Sequence, residues 1–206
     1  MDPMNEIECA LRAAAGGLPG PTEEQDRTFA ERAEAAGLVD VAYTSVDSPL
    51  GPLTVVGTPA GLVRVAYAGY RSQDDVLEDL AGRLSPRIVE APARLDRARR
   101  ELDEYFLGRR RTFDLPIDWS LCRGFTRGVL QATVRIPYGQ LGTYATVAAE
   151  AGSPRGVRAA GNALGANPMP VVVPCHRVVR TGGALGGYTG GIERKQHLLR
   201  LEGALD

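Results

Sequence analysis

Cysteine and histidine are scarce in this 206-residue chain: Cys9, Cys122 and Cys175, His176 and His197. Two of them stand side by side in the run Val173-Pro174-Cys175-His176-Arg177-Val178-Val179. A thiolate is the strongest nucleophile a protein carries near neutral pH, and a nearby imidazole is one of the groups that makes it available. The run therefore reads as a candidate nucleophile beside a candidate base. The competing reading is a buried cysteine used as a small hydrophobe, the commonest fate of a lone intracellular thiol.

The flanks of the run narrow the choice. Upstream stand Asn167-Pro168-Met169-Pro170, then Val171 and Val172; downstream come Gly182-Gly183-Ala184-Leu185-Gly186-Gly187-Tyr188-Thr189-Gly190-Gly191 and a stretch from Ile192 to Gly203. Earlier segments add Ile136-Pro137-Tyr138-Gly139, Thr143-Tyr144 and Arg158-Ala159-Ala160-Gly161, and more weakly Ser48-Pro49-Leu50-Gly51-Pro52-Leu53. Over roughly residues 41 to 204 the chain resembles the O6-alkylguanine-DNA alkyltransferase family. The fold class implied is α+β, a small ribonuclease-H-like α/β domain followed by a helical domain with a helix-turn-helix. Irreversible transfer of an alkyl group from O6-alkylguanine, or O4-alkylthymine, in duplex DNA to the protein is the implied activity, once per molecule.

Displacement at a saturated carbon needs an in-line nucleophile and a proton for the departing base, which a stacked base cannot meet without being rotated out. The resemblance assigns each need to a residue. Cys175 matches the alkyl acceptor, His176 the base acting through a water, and Glu202 the carboxylate that orients the imidazole, by triad logic. Asn167 matches a hinge asparagine and Tyr144 a phenol assisting the leaving base. Arg158 matches the arginine that fills the vacated stack, with Ser153, Arg155, Ala159 and Gly161 beside it on the DNA side. Val178, Tyr188 and Thr189 match the base-pocket wall. Without the resemblance, Glu202 reads as a surface carboxylate, Asn167 as a turn former and Tyr144 as a core aromatic. Thr189 stands where serine is common. Three dispersed cysteines cannot make the four-cysteine zinc module of some relatives, and Cys175 argues against the non-reactive sister group that has tryptophan there. No metal or organic cofactor is implied. Two alternatives remain: a sensor that flips alkylated bases without reacting, and a thiol hydrolase built on the same three residues.

Charge and composition set outer bounds. The net charge is −1, which disfavours a general polyanion binder, yet from Leu121 onward ten basic residues face four acidic ones. That +6 half, against −7 for the first 120 residues, is the one suited to phosphate. No apolar run approaches the ~20 residues of a membrane span, no signal pattern opens the chain, and unpaired cysteines suit a reducing cytoplasm. A monomer whose partner is double-stranded DNA is expected.

The elements that must hold these residues divide into an extension (1–40), an α/β segment (41–118) and a C-terminal segment (119–206). The extension is acidic and alanine-rich, broken at Gly16-Gly17-Leu18-Pro19-Gly20-Pro21, with a helix from Thr22 or Glu23 to Ala36 ended by Gly37. Phe29, Ala33 and Leu38 are expected to pack on the α/β segment. Runs at 41–46, 53–56 and 62–68 predict an antiparallel meander. Apolar spacing predicts helices through Val76–Leu84 and Leu95–Phe106, then a last strand over Phe113–Ile117. After Phe125–Val134 and Tyr144–Ala151, Ser153 as cap and Pro154 at the first position predict a third helix from Arg155 to Ala166. Gly156, Gly161 and Gly165 within it each cost about 1 kcal/mol relative to alanine, so close backbone approach is the expected reason.

Overall fold

The computed structural model describes residues 22–69 and 71–205; Cys9 and the extension before Thr22 lie outside the described residues. Helix α1 (Glu23–Ala35) starts on a reciprocal capping box between Thr22 and Gln25, and Gly37 turns the chain away at φ +67°. Its inward stripe runs through Ala30 and Ala33, with Glu34 paired to Arg94 at 3.4 Å. Phe29 and Leu38 correct the expectation: they are 64% and 52% exposed, one on the flank of that stripe and one beyond the helix end.

The meander is present. Strands β1 (Val41–Val46), β2 (Leu53–Thr58) and β3 (Gly61–Tyr67) are antiparallel, and a short β4 (Ile88–Glu90) adds parallel to β1, giving the order β3-β2-β1-β4. Alternation sorts the strand residues to two faces. Val41, Val56 and Val63 pack with Val76 and Leu80 of α2 (Gln73–Arg83). Val46, Leu53, Val55, Leu62, Val65 and Tyr67 face Ala98, Leu102 and Tyr105 of α3 (Asp96–Phe106). That second cluster continues without a break into Val129, Leu130, Val147, Ala160, Val173 and Leu198, so both halves of the chain share one core.

The strand expected over Phe113–Ile117 does not form. Pro116 lacks the N–H a ladder requires, and the segment makes only a single bridge, Ile117 against Leu62. Leu62 donates to the Pro116 carbonyl at 2.8 Å and Asp118 returns a bond to Leu62. Gly61 makes this possible: at φ +135°, a Cβ there would lie 2.3 Å from the Pro116 oxygen.

The C-terminal half comprises α4 (Gly124–Val134), β5 (Gly142–Thr143), α5 (Tyr144–Glu150), α6 (Val157–Gly165), a 3-10 turn at Cys175–Arg177, β6 (Val178–Val179) parallel to β5, and α7 (Ile192–Leu201). Thr143 caps α5 through a box with Thr146. The start of α6 differs from expectation. Ser153 does not cap it; Gly156 is the N-cap, and its N–H closes a turn on the Ser153 carbonyl at 2.8 Å. A serine-proline pair suits the opening of a turn as well as a helix start, and here the turn wins. Ala160, Ala163 and Leu164 of α6 are buried against α4 and α5, while Val157, Arg158, Ala159 and Asn162 face outward. Ala160 and Ala163 thus bring α6 close to its neighbours, but the glycines do not bear out the expected close approach: Gly156 is the cap, a Cβ on Gly161 would make only ordinary contact at 3.8 Å, and one on Gly165 would meet nothing within 4 Å. Among the described residues no helix is long and apolar enough to cross a membrane.

Candidate active site

A pocket of about 700 Å³ opens between α6, the first residue of α5 and the loop before α7. Val157, Arg158, Gly161 and Asn162 form one wall, Tyr144, Arg180, Tyr188 and Thr189 line the others, and Cys175 is at its base. Arg158 is exposed at the rim; among the described residues neither its side chain nor that of Arg180 has a hydrogen-bonding or ion-pair partner. Ser153 is half-buried in the turn before α6, and Arg155 and Ala159 are exposed beside it, all outside the pocket itself. Tyr144 lies against α6 at Gly161 with room for a side chain there, whereas Gly186 on the other side is required, because a Cβ would meet the Tyr144 hydroxyl at 2.6 Å. Thr189 donates to the Gly165 carbonyl at 2.9 Å and so ties the loop to the end of α6. Tyr188 exchanges a 2.7 Å hydrogen bond with Tyr67 of β3.

Asn167 is buried and fixes the turn that carries the thiol. Its amide donates to the Val173 carbonyl at 2.8 Å and to Cys175 Sγ at 3.1 Å, and its oxygen accepts from Met169 N–H at 3.0 Å. The same turn holds Val171 at φ +74°, the one non-glycine residue at positive φ among the described residues. A β-branched side chain rarely adopts that conformation. Burial pushes the Cys175 thiol up to about 11, against the opposing pull of the Asn167 hydrogen bond and the charge of Lys195. At neutral pH the resting group is therefore a thiol, and a base is needed to open its reactivity.

His176 is fully buried and shares a 2.9 Å hydrogen bond from Nε2 with Glu202 Oε1. Its Nδ1 has no hydrogen-bond partner among the described residues. Burial holds the imidazole below its usual range, more strongly than the Glu202 hydrogen bond raises it, so the ring is neutral. With Nε2 carrying the proton toward Glu202, the free Nδ1 lone pair is the basic position. Glu202 is buried at the end of α7 and is far from a surface carboxylate. Burial works to raise its carboxyl, but hydrogen bonds from His176 and Arg177 outweigh this and hold it at about 2.

Two participants escaped the reading of the sequence. Arg177 clamps Glu202 through Nε at 2.8 Å and Nη2 at 2.9 Å, and its third nitrogen donates to the Ile136 carbonyl. Lys195 is fully buried, with Nζ donating to the Val178 carbonyl at 2.6 Å and to that of Leu185. Val178, expected in the pocket wall, is not among the residues lining the pocket: it is buried and its backbone oxygen is taken by Lys195. Burial lowers the lysine to about 8, and a thiolate at Cys175 would raise it, so Lys195 is a cation that favours ionised sulfur. The signal for it lay in α7: Lys195 falls in line with Leu198 and Leu199 on the buried side of the helix, where a lysine needs a reason.

Comparison with known proteins agrees with this architecture. Residues 41–119 match a family model described as the ribonuclease-like domain of 6-O-methylguanine DNA methyltransferase, and residues 124–204 match the DNA binding domain of the same family. A constitutive methylated-DNA–protein-cysteine methyltransferase of Bacillus subtilis is 39% identical over 161 residues, covering 78% of this chain and 94% of the relative. A protein of the same description from Mycobacterium tuberculosis is 37% identical, covering 79% and 92%. Among solved structures, Mycobacterium tuberculosis OGT in complex with DNA superimposes with a TM-score of 0.67 at 36% identity, covering 79% of this chain and 93% of that one. On domain content, identity and coverage alike, the chain belongs to the 6-O-methylguanine DNA methyltransferase family.

Proposed function

We propose that this chain repairs O6-alkylguanine in duplex DNA by a single irreversible transfer of the alkyl group to Cys175. The observation that carries the reading is a thiol at the base of a pocket between a small-residue helix and a glycine-rich loop, backed by a buried imidazole and carboxylate. The outer face of α6 docks on the duplex, with Arg158 filling the space of the rotated nucleotide and Ser153, Arg155, Ala159 and Gly161 along the contact. Phosphate contacts come from the basic C-terminal half. The flipped base lies between Tyr144, Tyr188 and Thr189, next to the backbone around Val178.

In the reaction His176 Nδ1 takes the Cys175 proton, directly or through a bridging water, while Glu202 and Arg177 hold the ring in place. Lys195 stabilises the thiolate. Sulfur attacks the alkyl carbon, the carbon–oxygen bond breaks, and its electron pair remains on guanine. Tyr144 gives the departing base a proton and is reprotonated through solvent by the imidazolium, leaving guanine, a thioether and a neutral site. A thioether to an unactivated alkyl group does not hydrolyse, so each molecule acts once. We divide the chain into an extension (1–40), a ribonuclease-like domain (41–118) and a DNA-binding, alkyl-accepting domain (119–206), and infer a cytoplasmic monomer. Intact-mass spectrometry after incubation with an O6-methylguanine duplex tests this: one methyl per chain, on Cys175, is expected. Multiple turnovers without a mass change would point to a hydrolase instead.

A further inference from the structure

We propose that Tyr105, a residue of the ribonuclease-like half, is a positioning residue for the proton-accepting pair of the other half, acting through Glu202. Tyr105 is fully buried on α3 and donates from its hydroxyl to Glu202 Oε1 at 2.7 Å, across 97 positions of sequence. This is the same oxygen that meets His176 Nε2 at 2.9 Å and Arg177 Nη2 at 2.9 Å. The other oxygen accepts from Arg177 Nε at 2.8 Å and from Gly139 N–H at 3.3 Å. The tyrosine ring is wedged against Phe106, Phe113 and Tyr138, so its hydroxyl has one position to occupy.

The hydroxyl competes with the imidazole for Oε1. Each donor on a carboxylate oxygen draws charge from it and weakens what it offers the next. Arg177 alone already balances the charge of Glu202. With Tyr105 added, the carboxylate orients His176 without making it strongly basic, and the ring stays neutral with Nδ1 open. Among the described residues the other charged or titratable groups around this centre are Tyr138 from the turn before β5, whose hydroxyl is spent on the Leu201 carbonyl at 2.8 Å and over whose ring Arg111 sits at 5.7 Å, Lys195 from α7, and Cys175, the chain neighbour of His176. Arg177 and Lys195 both oppose protonation of His176, in the same direction as Tyr105.

The inference rests on His176 being the base for Cys175, and its test separates the two. Only two histidines are present, so His176 is assigned in the imidazole NMR spectrum by subtracting His197 with a His197→Gln variant. Tyr105→Phe keeps the ring and removes the donor; His176 should then titrate about half a pH unit higher. The acid limb of alkyl transfer from free O6-benzylguanine should move up in pH with it. Incorporation of 3-fluorotyrosine at position 105 strengthens the donor, preserves packing and should move both in the opposite direction. A purely structural tyrosine would change melting temperature and scale the rate evenly, leaving the histidine titration and the shape of the pH profile in place, and that result overturns the proposal. If the histidine moves as expected but the unaltered chain transfers no alkyl group, the reading of the site fails while the coupling stands.

Discussion

Replacing Glu202 by glutamine keeps the outline of the side chain and removes its charge. In the native site the carboxylate meets five donors: Tyr105, His176, two nitrogens of Arg177 and the Gly139 amide. A glutamine offers one oxygen and turns its NH2 toward one pair of these donors, leaving the buried Arg177 without a counter-charge. The magnitude follows from the carboxyl being held at about 2 instead of its ordinary 4.5. Because the folded value is the depressed one, the stabilisation is present above the unfolded value and is lost as pH falls through the folded one. Above pH 5 the charged form contributes about 3 kcal/mol, and at pH 3 about half of that remains. The side chain is entirely buried, so solvent screening does not erode the figure. Urea unfolding of the native chain and Glu202→Gln at pH 7 and pH 3 should therefore show a gap of about 3 kcal/mol that narrows by about half in acid. Alkyl transfer at pH 7 should fall roughly 100-fold with the loss of a positioned base. A gap that is absent at pH 7, or that is the same size at pH 3, would refute the account of Glu202 as the charged anchor of the site.

Cys175→Ser should bind duplex DNA and accept no label, since a hydroxyl is far less ionised than a thiol; label found on Cys122 in the native chain would count against the assignment. Arg158→Ala should slow repair of duplex DNA because nothing then offsets unstacking, which costs a few kcal/mol. Its rate with free O6-benzylguanine should be unchanged, and equal losses on both substrates would make Arg158 structural. Affinity for DNA should drop steeply between 50 and 200 mM salt with little dependence on sequence, as for contacts to the backbone. A filter-binding series that is flat in salt would remove the C-terminal half from the role of phosphate-binding surface. Gly61→Ala should lower the melting temperature by several degrees, because a Cβ would press on the Pro116 carbonyl from a disfavoured φ; an unchanged melt would mean that segment is free to shift.

The sequence was most legible where local rules acted alone. Thr22 and Gly37 marked the ends of α1, and β-prone runs separated by turns gave the meander. It was least legible where two rules compete. Ser153-Pro154 satisfies both a helix start and a turn, and Pro116 inside an apolar run defeated a strand. The three residues of β4 are too few to show a period. In the site, the family resemblance pointed to two residues without a local signature that the fold sets beside the Cys175 turn, behind the pocket and not in its lining: Asn167 donates to the sulfur and Glu202 meets His176. Arg177 and Tyr105 were invisible because their significance lies in a shared partner far along the chain. Only the fold brings α3 to the end of α7.

Strand β3 lies at the outer edge of the sheet, where unpaired amides and carbonyls would invite another chain to add. Here that edge is covered from two directions. Leu62 donates to the carbonyl of Pro116, and Val65 donates to the carbonyl of Pro168, in the segment leading to Cys175. The Pro116 segment returns one bond, from Asp118 to Leu62, but the prolines themselves have no N–H to offer, so the pairing there stops at a single bridge. The β3 edge is thus sealed against intermolecular growth in part by the stretch of chain that shapes the reactive turn. Separating the two halves would uncover the Val65 end of that edge while Pro116 stayed on Leu62, and the freed ribonuclease-like half would tend to self-associate through the exposed part of β3.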